Sequence, residues 1–262
     1  MYEPALTLCQ NSLVCAANQP TKQTSMFLEQ FHSSNNKFIS ISAEQGSGFA
    51  KDISNDFNPI HDPGSKRFCV PGDLLFALVL GRYGISEKMT FNFAGMVSAD
   101  TELSFPESPG DHFKIVDGRE KSYLEVSRSG QVSDNAAAIE SLTKNYVYFS
   151  GQNFPHLLVP IMAEHNIMIN PQRPLVIYDS MSLQFDTLDL QEPAVEFVGH
   201  SFKAEGKRGD VQFELRLMDQ GKQVGSGVKT LILSGLREYE QTAVDSMVTG
   251  YQASKDGYLE SA

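Results

Sequence analysis

The chain has 262 residues, 41% of them hydrophobic and 20% charged, and a formal net charge of −11 at pH 7. That length suits one large domain or two small ones with a real core, and an acidic balance with no basic run excludes a nucleic-acid surface. No apolar run approaches the roughly 18 residues of a membrane helix, and Met1-Tyr2-Glu3-Pro4 lacks the basic start of a secretory signal.

Residues 1–25 are rich in Asn, Gln, Thr and Ala and carry no strand or helix period. They read as a disordered arm or an upstream extension, with Met26 opening the folded part. Cys9, Cys15 and Cys69 make neither a metal spacing nor an even disulfide framework, which points to a reducing cytoplasm and to no bound metal.

Phe38 to Ser42 alternates apolar and polar residues, the pattern of a first strand. Ser42 followed by Gln45 is a capping-box pattern that opens a helix. Asn58-Pro59 forces the chain out of helix, because Pro fixes φ and pushes the preceding residue to extended conformations. A helix is therefore expected to end just before Asp56. In the stretch Ser54-Asn-Asp-Phe-Asn-Pro-Ile-His61, Asp56 lies at that exit and His61 across a tight turn. A carboxylate and an imidazole in one pocket suit proton abstraction and delivery; the bland alternative is a Pro turn with a surface Asp and His.

Residues 62–67 form a turn-rich loop. Leu74–Leu80 is apolar almost all round and is expected to be a buried central helix, with Asp73 near its start able to cap exposed amides. From Phe91 the period changes to two. Strands are expected over Phe91–Phe105, Asp111–Val116, Ser122–Arg128 and Ala136–Phe149. A second apolar helix, Phe154–His165, precedes strands at Val176–Leu190, Glu196–Glu205, Asp210–Asp219 and Gly225–Leu233. One helix and four strands thus recur at a period of roughly 80 to 90 residues, an internal repeat. Tyr239–Tyr251 reads as a short helix before a loose tail.

The run Phe38–His61 resembles the MaoC-like hydratases, the (R)-specific enoyl-CoA hydratases, whose pattern is a strand, a helix, then (Ser/Gly)-(Gly)-Asp-x-Asn-Pro-(Ile/Leu)-His. Asp56, Asn58, Pro59, Ile60 and His61 match, while Asn55 stands where that family usually has Gly. The resemblance implies a hotdog fold, a long helix wrapped by a curved antiparallel sheet. With the repeat it gives an α+β double hotdog: residues 26–150 with the motif and 151–262 without it.

The resemblance also implies a substrate and a chemistry. Hydratases of this kind add water across a trans-2-enoyl thioester, or remove it from a (3R)-hydroxyacyl thioester, carried on coenzyme A or an acyl carrier protein and needing no other cofactor. Asp56 and His61 would hold the water and exchange protons, and Asn58 would orient them. Gly72 would offer its amide to the thioester oxygen at the helix start, or serve as a simple helix entry. Lys66 and Arg67 would meet coenzyme A phosphates, or lie in solvent. Pro71-Gly72-Asp73 replaces the family's His-Gly-Met-type helix start after a shorter loop, and Asp73 would set negative charge beside a forming oxyanion. Thioester hydrolysis or acyl-thioester binding without turnover stays open on the same fold. Ser150-Gly-Gln-Asn-Phe-Pro-His156 reads as a scrambled echo of the motif without its Asp, leaving one pocket per chain. The protein is expected as a monomeric double hotdog or a homodimer.

Overall fold

The computed structural model describes residues 26–35 and 37–261. The expectations for residues 1–25, Cys9 and Cys15 among them, fall outside the described residues. A 3₁₀ helix, Met26–Phe31, leads through two-residue strands β1 (Ser33–Ser34) and β2 (Ile39–Ser40) into α1 (Ala43–Gly48). The capping box forms as its residues predict: Ser42 Oγ accepts from the Gln45 amide at 3.2 Å, and Gln45 Oε1 accepts from the Ser42 amide at 3.0 Å. A π-helical turn, Phe49–Ile53, continues α1 and stops just short of Asp56, where the sequence expects the exit.

Helix α2 (Gly72–Tyr83) is buried from Asp73 to Leu80. An apolar stretch with no polar face has to be enclosed on all sides. Phe76 meets Phe91 edge-on at 5.1 Å and Tyr146 at 4.9 Å. Strands β3 (Ile85–Phe93), β4 (Leu103–Ser104), β5 (His112–Asp117) and β6 (Ser122–Ser133) follow. The expected long strand Phe91–Phe105 is thus two strands with a loop between them.

Ala136–Phe149, expected as a strand, is instead most of α3 (Ala136–Gly151). Asn135 caps it, its Oδ1 accepting from the amides of Ala137 (3.1 Å) and Ala138 (3.3 Å). The buried set Ala138, Ile139, Leu142, Thr143, Tyr146, Val147 and Ser150 has the helical period, not alternation. A π-helical turn, Phe154–Leu158, runs into α4 (Val159–Glu164), which accounts for the expected second apolar helix.

The remaining strands are β7 (Ile167–Met168), β8 (Val176–Phe185), β9 (Ala194–Glu205), β10 (Arg208–Asp219), β11 (Lys222–Ser234) and β12 (Arg237–Glu238). The chain closes with α5 (Gln241–Ser261), 21 residues long, where a short helix and a loose tail were expected.

One ten-stranded antiparallel sheet has the order β1-β2-β4-β5-β6-β3-β8-β11-β10-β9, and β12 pairs with β7 separately. The β3–β8 seam joins Lys88–Asn92 to Ser180–Gln184. Outward from it, β3-β6-β5-β4 on one side and β8-β11-β10-β9 on the other follow the same sequence of first, fourth, third and second strand. The architecture is an α+β hotdog: a large antiparallel sheet packed against buried helices. Among the described residues, no helix is long and apolar enough to cross a membrane.

The α3 cap offers a direct check. Asn135→Ala is expected to cost about 1 kcal/mol, a fall in Tm of about 2–4 °C for a chain of this size, measured by thermal unfolding. An unchanged Tm would remove the cap from the list of reasons this segment is helical.

Candidate active site

The motif folds as a helix exit followed by a clasped turn. The Asp56 amide donates to Ala50 O at 2.8 Å, so the carboxyl starts from the end of the π-helical turn. Asn55 sits at φ 53°, the left-handed region that Asn tolerates better than most residues. That is the position where the hydratase pattern has Gly. Asn58 Oδ1 accepts from the Ile60 amide at 3.2 Å and caps a single 3₁₀ turn, Pro59–His61. The Asn58 amide donates to Asp56 Oδ1 at 2.9 Å. Asn58 therefore meets both ends of the pair through its backbone, its amide donating to Asp56 and its carbonyl accepting from the His61 amide at 3.0 Å, while its side chain caps the turn between them.

His61 is fixed by Cys69. Its Nδ1 lies 2.6 Å from Cys69 O, while the Cys69 amide donates to Ile60 O at 3.0 Å. A carbonyl only accepts, so Nδ1 carries a proton, and in the neutral ring Nε2 keeps the lone pair. Nε2 faces Asp56 Oδ2 at 3.6 Å, beyond a direct hydrogen bond, so both atoms can reach a third between them. Burial pushes the Asp56 carboxyl above the usual carboxylate range, against the opposing pull of His61 and of the Asn58 amide. The Cys69 thiol, which donates to Val70 O, is pushed by burial up to about 11, which removes it as a nucleophile near neutral pH.

Asp56, Asn58 and His61 line one cavity of about 720 Å³, and Gly72 and Asp73 at the start of α2 line it too. Its remaining wall is largely apolar, with Leu75, Phe93, Val97, Val176, Leu231 and Met247 among its members. A mostly apolar cleft with a few convergent polar groups is the usual form of a small-molecule site. Gly72 lies under the stacked rings of Phe93 and Tyr178 (4.1 Å); a Cβ there would come within 3.0 Å of Phe93 and 3.2 Å of Tyr178. Lys66 and Arg67 are exposed on the loop after His61 and do not line the cavity.

Three features escape the sequence reading. First, Asp73 does not cap α2: Pro71 is the N-cap and no side-chain cap bond forms. The Asp73 carboxyl instead accepts from Ser150 Oγ at 2.5 Å, and Lys229 Nζ donates to the same Ser150 oxygen. Lys229 is 2% exposed. Its signal was parity: on β11, Gly225, Gly227, Lys229, Leu231 and Leu233 alternate inward, so a lysine stands on the core face. Second, the echo at Ser150–His156 is no second pocket. Ser150, Gly151, Asn153 and Phe154 line the same cavity as the motif, while His156 is exposed. Third, α5 covers the motif. Tyr251 Oη accepts from the Phe57 amide at 3.1 Å and lies 3.2 Å from Gly151 O, and Tyr258 Oη donates to Asp52 at 2.7 Å. Elsewhere, Glu164, His165 and His200, all exposed, bring ligand-type atoms within 4.8 Å of one another at the end of α4 and on β9.

The fold and the Asp/His cavity define a class: a hotdog protein with two titratable side chains converging in a largely apolar cleft. The chain belongs to the family described as protein of unknown function DUF3581, which it matches over residues 26–242. The match therefore ends two residues into α5. No curated protein matches the sequence. Solved structures it resembles include an acyl-CoA thioesterase II from Mycobacterium marinum (10% identity, TM-score 0.39, covering 65% of this chain and 90% of that one). Another is the peroxisomal multifunctional enzyme type 2 from Drosophila melanogaster (9%, 0.41, 73% and 47%). A third is a MaoC-like dehydratase (10%, 0.36, 78% and 97%).

Gly151 is where the two segments meet most closely. A Cβ there would lie 1.9 Å from Ser54 O and 3.1 Å from the Asp56 Cβ. Gly151→Ala is expected to destabilise the fold by about 1–3 kcal/mol, whereas Gly199→Ala, with nothing within 4 Å, stays within about 0.5 kcal/mol. Denaturant melts of the two variants check this; equal stabilities would contradict the close approach.

Proposed function

We propose that this chain is a double hotdog, residues 26–150 forming one unit and 151–262 the other, that hydrates a trans-2-enoyl thioester or dehydrates the (3R)-hydroxyacyl thioester. The thioester is carried on coenzyme A or an acyl carrier protein. Support for the doubled unit is the strand order that recurs on both sides of the β3–β8 seam. The observation that carries the chemistry is His61 Nε2 at 3.6 Å from Asp56 Oδ2 inside an apolar-walled cavity, with Nδ1 occupied by a carbonyl.

In this reading a water held by both groups attacks C3 of the enoyl thioester. Its oxygen forms the new C–O bond, one of its protons passes to the pair, and the pair returns one proton to C2. The carbon–carbon double bond shifts toward an enolate between those events and is then protonated, so nothing is oxidised or reduced. Enolate charge gathers on the thioester oxygen, where backbone amides at the start of α2, Gly72 first, can meet it. The acyl chain runs along the apolar wall. Lys66 and Arg67, exposed on the neighbouring loop, suit the phosphates of the carrier. The acidic, cysteine-poor chain suits the cytoplasm, as a monomer or a homodimer.

Asp73, an acid at the start of the buried helix and in the same cavity, favours a second reading, thioester hydrolysis. Two assays on one preparation separate them. The hydratase reading predicts loss of the conjugated-enoyl absorbance of crotonyl-, octenoyl- or hexadecenoyl-CoA without release of free thiol. Asp56→Ala and His61→Ala are each expected to lower that rate by about 10²–10⁴-fold. Thiol release from saturated acyl-CoA would transfer the assignment to hydrolysis, and inactivity in both assays would leave binding alone.

A further inference from the structure

The cluster at the end of α4 has no part in the cavity: none of Glu164, His165 and His200 lines it. Among the described residues, no other three His, Cys, Asp or Glu side chains bring one ligand atom each within 4.8 Å of one another. Two of the three are imidazoles, which separates the cluster from an ordinary patch of surface acids. The chain's formal charge of −11 adds a field that favours a cation.

Each side chain is brought there by its own local constraint. Helix α4 ends at Glu164, and His165 follows as its C-cap, its amide donating to Ile161 O at 3.1 Å. Asn166 then turns the chain at φ 52°, its amide donating to Ala163 O at 3.2 Å and its carbonyl accepting from the Tyr239 amide at 3.2 Å. The turn that presents Glu164 and His165 is thus held by the helix on one side and by the residue after β12 on the other. On β9, His200 lies opposite Phe213 and Phe202 opposite Val211. Residues opposite each other share a face of the sheet, and Phe213 and Val211 are both fully buried. His200 therefore stands on the inward face of its strand, and its side chain is only 28% exposed. The His165 ring packs against Phe202 at 4.6 Å, two residues from His200 along that face.

His200 Nε2 lies 3.6 Å from Glu164 Oε2, beyond a direct hydrogen bond. Zn²⁺ bonds imidazole nitrogen and carboxylate oxygen at about 2.0–2.2 Å, so two ligand atoms of one tetrahedral ion stand about 3.3–3.5 Å apart. The Glu164–His200 separation is close to that spacing, and the His165 ring is near enough to complete three ligands. Asp56 and His61 have the same separation, but among the described residues they have no third ligand atom beside them. Two imidazoles and one carboxylate are a donor set that suits zinc.

We propose that Glu164, His165 and His200 bind one Zn²⁺ ion, with water in the fourth position. Each ligand supplies a lone pair, each imidazole keeps the proton on its other nitrogen, and nothing is oxidised or reduced. The ion ties the end of α4 to β9, the last strand of the sheet. That strand is 12 residues long and carries the exposed side chains of Phe197 and Val198, and a long apolar edge is what a fold has to hold in place. The site does not rest on the thioester reading of the cavity.

Untagged full-length protein, stripped of metal with a chelator and dialysed, is titrated with ZnCl₂ by calorimetry. One ion per chain is expected, with a Tm that rises with zinc concentration. Co²⁺ in place of Zn²⁺ is expected to give the visible ligand-field spectrum of a tetrahedral site. His165→Ala and His200→Ala are each expected to weaken zinc binding by more than about 10-fold, the least that losing even an indirect partner of a metal costs. Glu164→Gln is expected to weaken it in the same direction. His200→Gln repeats the test without opening a gap on the inward face. His156→Ala, which removes an exposed histidine elsewhere, is expected to leave binding unchanged. No zinc binding by the wild type, or binding that survives the loss of His165 and His200 together, would overturn the proposal. Binding abolished by His61→Ala with both of these intact would put the metal in the cavity and overturn it equally.

Discussion

The carbonyl of Cys69 accepts the Nδ1 proton of His61 at 2.6 Å, and the Cys69 amide donates back to Ile60 O at 3.0 Å. This two-way clasp closes the loop after the motif and decides which nitrogen of His61 faces Asp56. Without it the ring could turn, and the 3.6 Å approach of Nε2 to Asp56 Oδ2 would be one orientation among several. Position 69 is itself anchored, because the Val70 amide donates to Val97 O at 2.9 Å. Orientation of a base by the bond its other nitrogen makes is a general requirement for acid–base work. Here the partner is Cys69, eight residues on from His61 in the loop that leads to Gly72.

The cavity around this pair is assembled from distant parts of the chain. The end of α3 brings Ser150 and Gly151 against Ser54 and Asp56. From the far end, α5 brings Tyr251, whose hydroxyl bonds to the Phe57 amide and lies 3.2 Å from the carbonyl of Gly151. One hydroxyl thus ties three segments together at the back of the motif. The second half of the sheet contributes Tyr178 and Leu231 to the wall and Lys229 behind it. A chain that places a lysine on the core face of a central strand has to answer its charge there, and Ser150 with Asp73 does so.

Much of this was legible in the residues. The capping box at Ser42, the apolar run Leu74–Leu80 and the Pro-enforced exit before Asp56 are local signals, and local chemistry decides them. The strands of the second half were legible because their alternation is regular, as on β10, where buried and open positions alternate nearly throughout. Ala136–Phe149 was misread because small residues weaken the contrast between a period of two and one of 3.6; the deciding residue was Asn135, a cap outside the segment. Lys229 was hidden by its surroundings in sequence, although its inward parity was available. The partnership of Asp73 with Ser150, 77 positions apart, and of Tyr251 with Phe57, 194 apart, depends on tertiary packing and has no local signal.

A crystal structure with a saturated acyl-CoA bound tests the central claim most directly. The hydratase assignment predicts C2 and C3 within about 3–3.5 Å of an atom or water held jointly by Asp56 and His61, with the thioester oxygen at the start of α2. An acyl chain in the cavity with its thioester turned away from both side chains, or a ligand bound outside the cavity, would contradict it.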